Sequence, residues 1–166
     1  MIELKEKNTY NQCFIESHED EIIHIIYDDD EKINELLTLI SGNKKVDTID
    51  LKKLNSTLTV KDYVVFYAMI TGIYNDRTIE ELTSLLTQNH MGHLLHTPVN
   101  ALSNIEKIKV RCIAAYLKQI SCIVGKDLLS ELDPMQKVAF YGFLEEYFIK
   151  NNCLCLLIDS IQEEEL

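Results

Sequence analysis

Leu58-Thr59-Val60-Lys61-Asp62-Tyr63-Val64-Val65-Phe66-Tyr67-Ala68-Met69-Ile70-Thr71-Gly72-Ile73-Tyr74 is the stretch on which the reading of this chain turns. After Asp62 nearly every residue is apolar or aromatic, all the way round a helical wheel. A helix that is apolar on every side belongs in an interior, because a surface helix shows a polar face. It is too short for a bilayer, whose hydrocarbon core takes roughly 20 residues to cross. The segment 58–74 is therefore expected to be the buried axis of an all-α bundle. That bundle would form a single domain over 1–166, with about six to eight helices at ordinary helix lengths.

The helix starts around it support that expectation. Thr59 can accept from the backbone N–H of Asp62, and Asp62 can reach back, as in a capping box. Thr78 with Glu81 and Ser103 with Glu106 repeat the pattern. Asp133-Pro134-Met135-Gln136 is the strongest start in the chain, with an N-cap, proline at N1 and glutamine at N3. Val138-Ala139-Phe140-Tyr141-Gly142 then echoes Val64-Val65-Phe66-Tyr67-Ala68, which admits a degenerate helical repeat. Ile33, Leu36, Leu37 and Ile40 lie on one helical face that ends at Gly42. A stripe from Ile105 to Cys122 predicts a helix stopping at Gly125, and Asp47 to Leu54 predicts one short helical turn. Two stretches leave helix and strand open, with helix favoured: the isoleucine-rich 18–27 and the apolar 153–161. The ends, 1–15 and 162–166, are expected to be flexible.

Charge narrows the function. The net charge is −11. Residues 1–50 hold 13 acids and 5 bases, so most of that charge sits near the N-terminus. Such a chain carries no electrostatic footprint for nucleic acid and is repelled by anionic lipid, so neither is an expected partner. It would attract a basic protein and speed the encounter. The start of the chain has no apolar targeting segment, and five cysteines are an odd number. Both point to reduced thiols and a cytoplasmic protein.

Motifs for chemistry are absent. No nucleophile elbow, paired-histidine zinc helix, phosphate-binding glycine loop or dinucleotide fingerprint occurs. No catalysis and no cofactor are expected. His90, His93 and His96 cluster between Asn89 and Pro98, but no acid or thiol nearby completes a metal set. A metal-dependent protein built on them is a lesser alternative. Cys153 and Cys155 are spaced too closely for a zinc pair and suit a core instead. Acidic runs at Glu19-Asp20-Glu21 and Asp28-Asp29-Asp30-Glu31 flank one apolar segment. With Tyr27 as an anchor, they are the candidate partner-binding residues, because tyrosine is enriched in binding hot spots.

Leu128 to Leu144 resembles the closing helix of small helical bacterial proteins, some of them toxin-immunity proteins. Their pattern is Leu-x-Pro-x-Gln, a base, x-Ala, three residues and Phe-Leu. It is carried here by Leu132, Pro134, Gln136, Lys137, Ala139, Phe143 and Leu144. The resemblance implies an antidote of the kind found in contact-dependent growth inhibition. Such a protein would neutralise a cognate basic toxin, such as a nuclease, by covering it with an acidic surface. A second alternative is similarity to the Bcl-2-like helical modulators of poxviruses, which the buried central helix would suit.

Overall fold

The computed structural model describes residues 14–18, as backbone, and 22–160. Of the expected flexible ends, only Phe14 and Ile15 fall within them. The chain forms two compact units: Met1–Asp50 with Ile120–Leu166, and Leu51–Gln119 between those two segments.

The first unit overturns the all-α expectation. It holds a five-stranded sheet in the order β1 (Phe14–His18), β2 (Ile22–Tyr27), β5 (Leu154–Ser160), β4 (Cys122–Lys126) and β3 (Val46–Asp50). β2, β5, β4 and β3 run parallel, and β1 adds an antiparallel edge. Helix α1 (Asp30–Ser41) connects β2 to β3, and α5 (Pro134–Tyr147) connects β4 to β5. This is an α/β fold. The two stretches left open, 18–27 and 153–161, are strands within their described residues. The predicted turn at 47–54 is divided, with 47–50 in β3 and Leu51–Lys53 forming one 3-10 turn, and the end of the predicted 105–122 helix opens β4.

The physical reason lies in burial on both faces. A parallel strand covered by helices on each side loses its polar alternation and becomes a continuous apolar run. Cys155, Leu157 and Ile158 are all buried on β5, although adjacent residues point to opposite faces. On one face Ile33 of α1 packs with Tyr27, Val124 and Ile158, supported by Leu36, Leu37 and Ile40. On the other, Tyr141 of α5 meets His24 of β2, with ring centroids 5.7 Å apart.

The second unit is helical: α2 (Val60–Ile70), α3 (Thr78–Gln88) and α4 (Asn104–Leu117), with short 3-10 segments. Thr59 accepts from the N–H of Asp62 at 3.1 Å to start α2. Both halves of the capping box are present at Ser103 with Glu106, and at Asp133 with Gln136 in the first unit. At α3 the expected box is absent: Arg77 is the N-cap residue and makes no side-chain cap. Thr78 accepts from the N–H of Asn75 instead. The likeness of the α2 and α5 starts is capping chemistry alone, since the two helices belong to different units and no repeat links them.

Helix α2 corrects the reading on which the bundle rested. Val60, Val64 and Ala68 form its buried face, whereas Phe66, Met69 and Ile70 are exposed. The segment is apolar all round and yet lies at a surface.

Gly125, in β4, shows how tightly the sheet is covered. A Cβ there would sit 2.6 Å from Leu128 Cδ1 and 3.0 Å from Leu157 Cδ2, both in buried side chains. Replacing Gly125 with Ala is expected to destabilise the fold by about 1–3 kcal/mol through overpacking. Urea denaturation followed by circular dichroism measures it, and an unchanged midpoint would show that the two leucines yield freely.

Candidate functional site

In open α/β sheets, ligand sites form beyond the carboxyl ends of the parallel strands. Here that edge is bounded by Tyr27, Lys126 and Ser160. The register pairs Tyr27 with Ser160 and Lys126 with Ile158. The three ends are joined through Asp127, which follows β4 in the left-handed conformation at φ 50°. Its backbone N–H donates to the carbonyl of Ile158 at 2.8 Å. One carboxylate oxygen accepts the N–H of Ser160 at 2.9 Å, and the other accepts the Tyr27 hydroxyl at 3.1 Å. Burial first, and then the charge and hydrogen bond of Asp127, hold the Tyr27 hydroxyl well above its ordinary pKa.

Asp159 lies one residue before the end of β5. Its Oδ1 is buried and has no hydrogen-bond partner among the described residues. Burial, and after it the charge of Asp127, raise its carboxyl to about 6, against opposing pulls from the Leu129 backbone and Lys137. Near it, Tyr141 is held above its ordinary pKa, mainly by burial and secondarily by the Asp159 charge. The Tyr141 hydroxyl lies 3.3 Å from His24 Nε2.

Between β2 and α1 stand only Asp28 and Asp29. A strand, a short loop and a helix N-terminus make the local frame of a phosphate-binding loop, in which glycines let the backbone N–H groups face the anion. Here Asp29 is extended, at φ −119° and ψ 100°. Its carboxylate accepts the N–H groups of Glu31 at 3.0 Å and Lys32 at 3.3 Å. Asp30 and Glu31 add acid to the first turn.

The partner-binding candidates are thus divided. Tyr27 is buried, and its hydroxyl is engaged by Asp127. Asp28, Asp30 and Glu31 are exposed, and Asp29 caps α1. Glu19, Asp20 and Glu21 lie outside the described residues. Asp127 and Asp159 were not candidates from sequence. A carboxylate at the end of an apolar run such as Cys153–Ile158 is the signal that could have found Asp159.

His90, His93 and His96 are each exposed in the turns after α3. That segment folds back on α2, with Val60 N–H donating to Thr97 and Lys61 N–H to Leu95. No group of three or more metal-capable side chains occurs among the described residues. Cys122 and Cys153 are free cysteines. Burial, then the neighbouring Cys122, raises Cys153 to about 11, so it stays protonated at neutral pH.

A second candidate surface lies on α2. Phe66, Met69 and Ile70 are 56%, 60% and 66% exposed, and Tyr74 beyond the helix is 46% exposed. The spacing of Phe66, Met69 and Ile70 places those three on one side of α2. Contiguous exposed apolar groups of this kind mark interaction sites.

Comparison with known proteins places the fold. No protein-family model matches the chain. Over 88 residues, 52% of the chain, it is 30% identical to ABC transporter A family member 5 of Dictyostelium discoideum, and the match spans 5% of that protein. Among solved structures, the ATP-binding subunit of an ABC transporter superposes with a TM-score of 0.63 at 16% identity, over 85% of this chain and 68% of that one. cbiO1 of Clostridium perfringens, part of the ABC transporter complex cbiONQ, gives 0.59 at 18% identity, over 84% of this chain. The chain spans 56% of cbiO1's length. A metal-chelate type ABC transporter in an inward-facing conformation gives 0.64 at 13% identity, over 88% and 64%.

The fold is therefore that of ABC transporter ATP-binding subunits. This overturns the resemblance of 128–144 to toxin-immunity proteins, because Leu128–Leu144 is the connection from β4 into α5 of an α/β sheet. It overturns the antidote function and the basic toxin partner as well. Neither the Bcl-2-like nor the metal-dependent alternative is supported in their place. The neighbours are parts of transporters, against the expectation of no membrane partner, and one is named for ATP binding, against the expectation of no catalysis.

Asp159 sets a testable pH dependence. Its folded pKa of about 6 exceeds the ordinary value of about 4. The stability it confers when protonated is therefore complete below about 4 and is lost as pH rises through about 6. Asp159→Asn is expected to gain about 1–2 kcal/mol at pH 8, after allowance for partial exposure, and almost nothing at pH 4. Urea midpoints across that range decide it, and a pH-independent difference would contradict the charge penalty.

Proposed function

We propose that this chain works as an ATP-binding-cassette module of a transporter, on the cytoplasmic side of a membrane, seated on a membrane-spanning partner. The observation that carries the proposal is the 30% identity over 88 residues to a transporter protein, in a chain whose fold independently matches transporter ATP-binding subunits. Fold alone would not be enough, since one architecture hosts many functions.

The α2 face supplies the docking surface in this reading. No helix among the described residues is long and apolar enough to cross a membrane, and in this reading a membrane-spanning partner holds the module at α2. Phe66, Met69, Ile70 and Tyr74 offer the apolar and aromatic anchors that concentrate binding energy in protein interfaces. The anionic chain would gain nothing from anionic lipid itself, which favours a protein partner over direct adsorption.

In cells that express it naturally, the protein is expected to sediment with membranes. The double variant Phe66→Glu/Ile70→Glu should shift to the supernatant. Both side chains are more than half exposed, so folding should change by no more than about 0.5 kcal/mol. Cell fractionation with a thermal melt of each purified protein checks both points. A wild-type protein found wholly in the supernatant would refute the proposal.

A further inference from the structure

The fold implies a bound nucleoside triphosphate, and the β2–α1 loop is where its phosphates would be expected. The residues there do not fit that group. A phosphate loop needs glycines for close backbone approach, free N–H groups, a lysine for the terminal phosphates and a hydroxyl for the metal. Between Tyr27 and Ile33 this chain has Asp28, Asp29, Asp30, Glu31 and Lys32, with no glycine, serine or threonine. Its only cation, Lys32, follows four successive acids and is exposed. No residue of this turn has positive φ, so the backbone does not form the concave nest that surrounds an anion.

The donors that remain are already used. The Asp29 carboxylate accepts the N–H groups of Glu31 and Lys32, which point where a phosphate oxygen would lie. A carboxylate at a helix N-terminus satisfies the same orphan donors and the same dipole as an anionic ligand. The neighbouring strand end keeps one suitable feature, the acid Asp159 with its unpartnered oxygen. Asp127 beside it is committed to Ser160 and Tyr27, and the two strand ends are tied together without a ligand.

We infer that the β2–α1 loop of this chain does not hold nucleotide phosphates, because the Asp29 carboxylate occupies the anion's place and Asp28, Asp30 and Glu31 repel a second anion. The inference rests on the cassette reading above for the identity of the missing ligand. It makes this module a non-hydrolysing one whose sheet edge is closed by its own side chains. Any ATP hydrolysis in its assembly would then belong to another module.

The experiment is a titration of the full-length 15N-labelled protein with magnesium ATP, following the amide signals of Glu31 and Lys32. In the wild type these signals are expected to stay in place up to about 1 mM, a range in which even weak binding would register. In Asp29→Ala the same amides should also stay in place on addition of nucleotide, since the turn still lacks glycine and keeps Asp28, Asp30 and Glu31. Amides responding elsewhere with Glu31 and Lys32 unchanged would also support the inference, by placing nucleotide away from this loop. Saturable movement of both wild-type amides would overturn it, as would phosphate release abolished by Asp29→Ala. Membrane sedimentation does not enter this measurement, so the two proposals can fail separately.

Discussion

Asp127 is the residue on which the carboxyl edge of the sheet depends. It adopts a left-handed backbone conformation, which aspartate tolerates better than most side chains. From there one carboxylate reaches the N–H of Ser160 at the end of β5 and the hydroxyl of Tyr27 at the end of β2. Hydrogen bonds to an ionised group are worth about 1.5–3 kcal/mol each, more than an ordinary neutral pair. The same charge also lies close enough to Asp159 to help keep its carboxyl near 6. A single carboxylate thus stabilises one pair of strand ends and penalises the ionisation of its neighbour.

That arrangement fixes what the edge can bind. Asp127 holds one of the strand-end carboxylates in internal bonds, and Asp29 fills the first turn of α1. Of the cations near this edge among the described residues, Lys126 turns its ammonium to Asn34 at 3.4 Å, and Lys137 acts on Asp159. At distances of about 4–5 Å, like charges near a protein surface repel by several kcal/mol, a larger effect than one additional hydrogen bond returns. A polyphosphate at this edge would meet that repulsion without the lysine and glycine amides that offset it in a phosphate loop. Fold and charge therefore separate here: the backbone keeps the frame of an anion site while its side chains reject an anion.

Helices were legible in the sequence where capping was explicit. Asp133-Pro134-Met135-Gln136 and Ser103 with Glu106 start the helices they indicate, because capping depends on residues within one turn. Parallel strands gave no such signal. Ile22–Tyr27 and Leu154–Ser160 are buried from both sides, so they lack the alternation that distinguishes a strand from a short buried helix. Their pairing also joins residues far apart in the chain: Ile22 with Cys155 and Val46 with Cys122. Nothing local encodes such a partner. The acids at 28–31 were legible as unusual, but their setting was not, since the role of Asp29 appears only once β2 and α1 are positioned around it.

The error over 58–74 has a different origin. The inference from an all-apolar wheel to a buried helix assumes that every apolar face is covered within the chain itself. On α2 the covered face is narrow, built from Val60, Val64 and Ala68, whose small side chains let the backbone approach its neighbours closely. The larger Phe66, Met69 and Ile70 fall on the exposed side. Had the helix been merely a surface element, solvent contact would favour polar residues at those positions, such as Glu31, Lys32 and Glu35 on α1 or Glu80, Glu81 and Thr83 on α3. Large apolar groups placed outward on a well-capped helix are what a second protein surface requires. The sequence was therefore right that this helix is apolar throughout, and its outer face is the one the proposed function uses for docking.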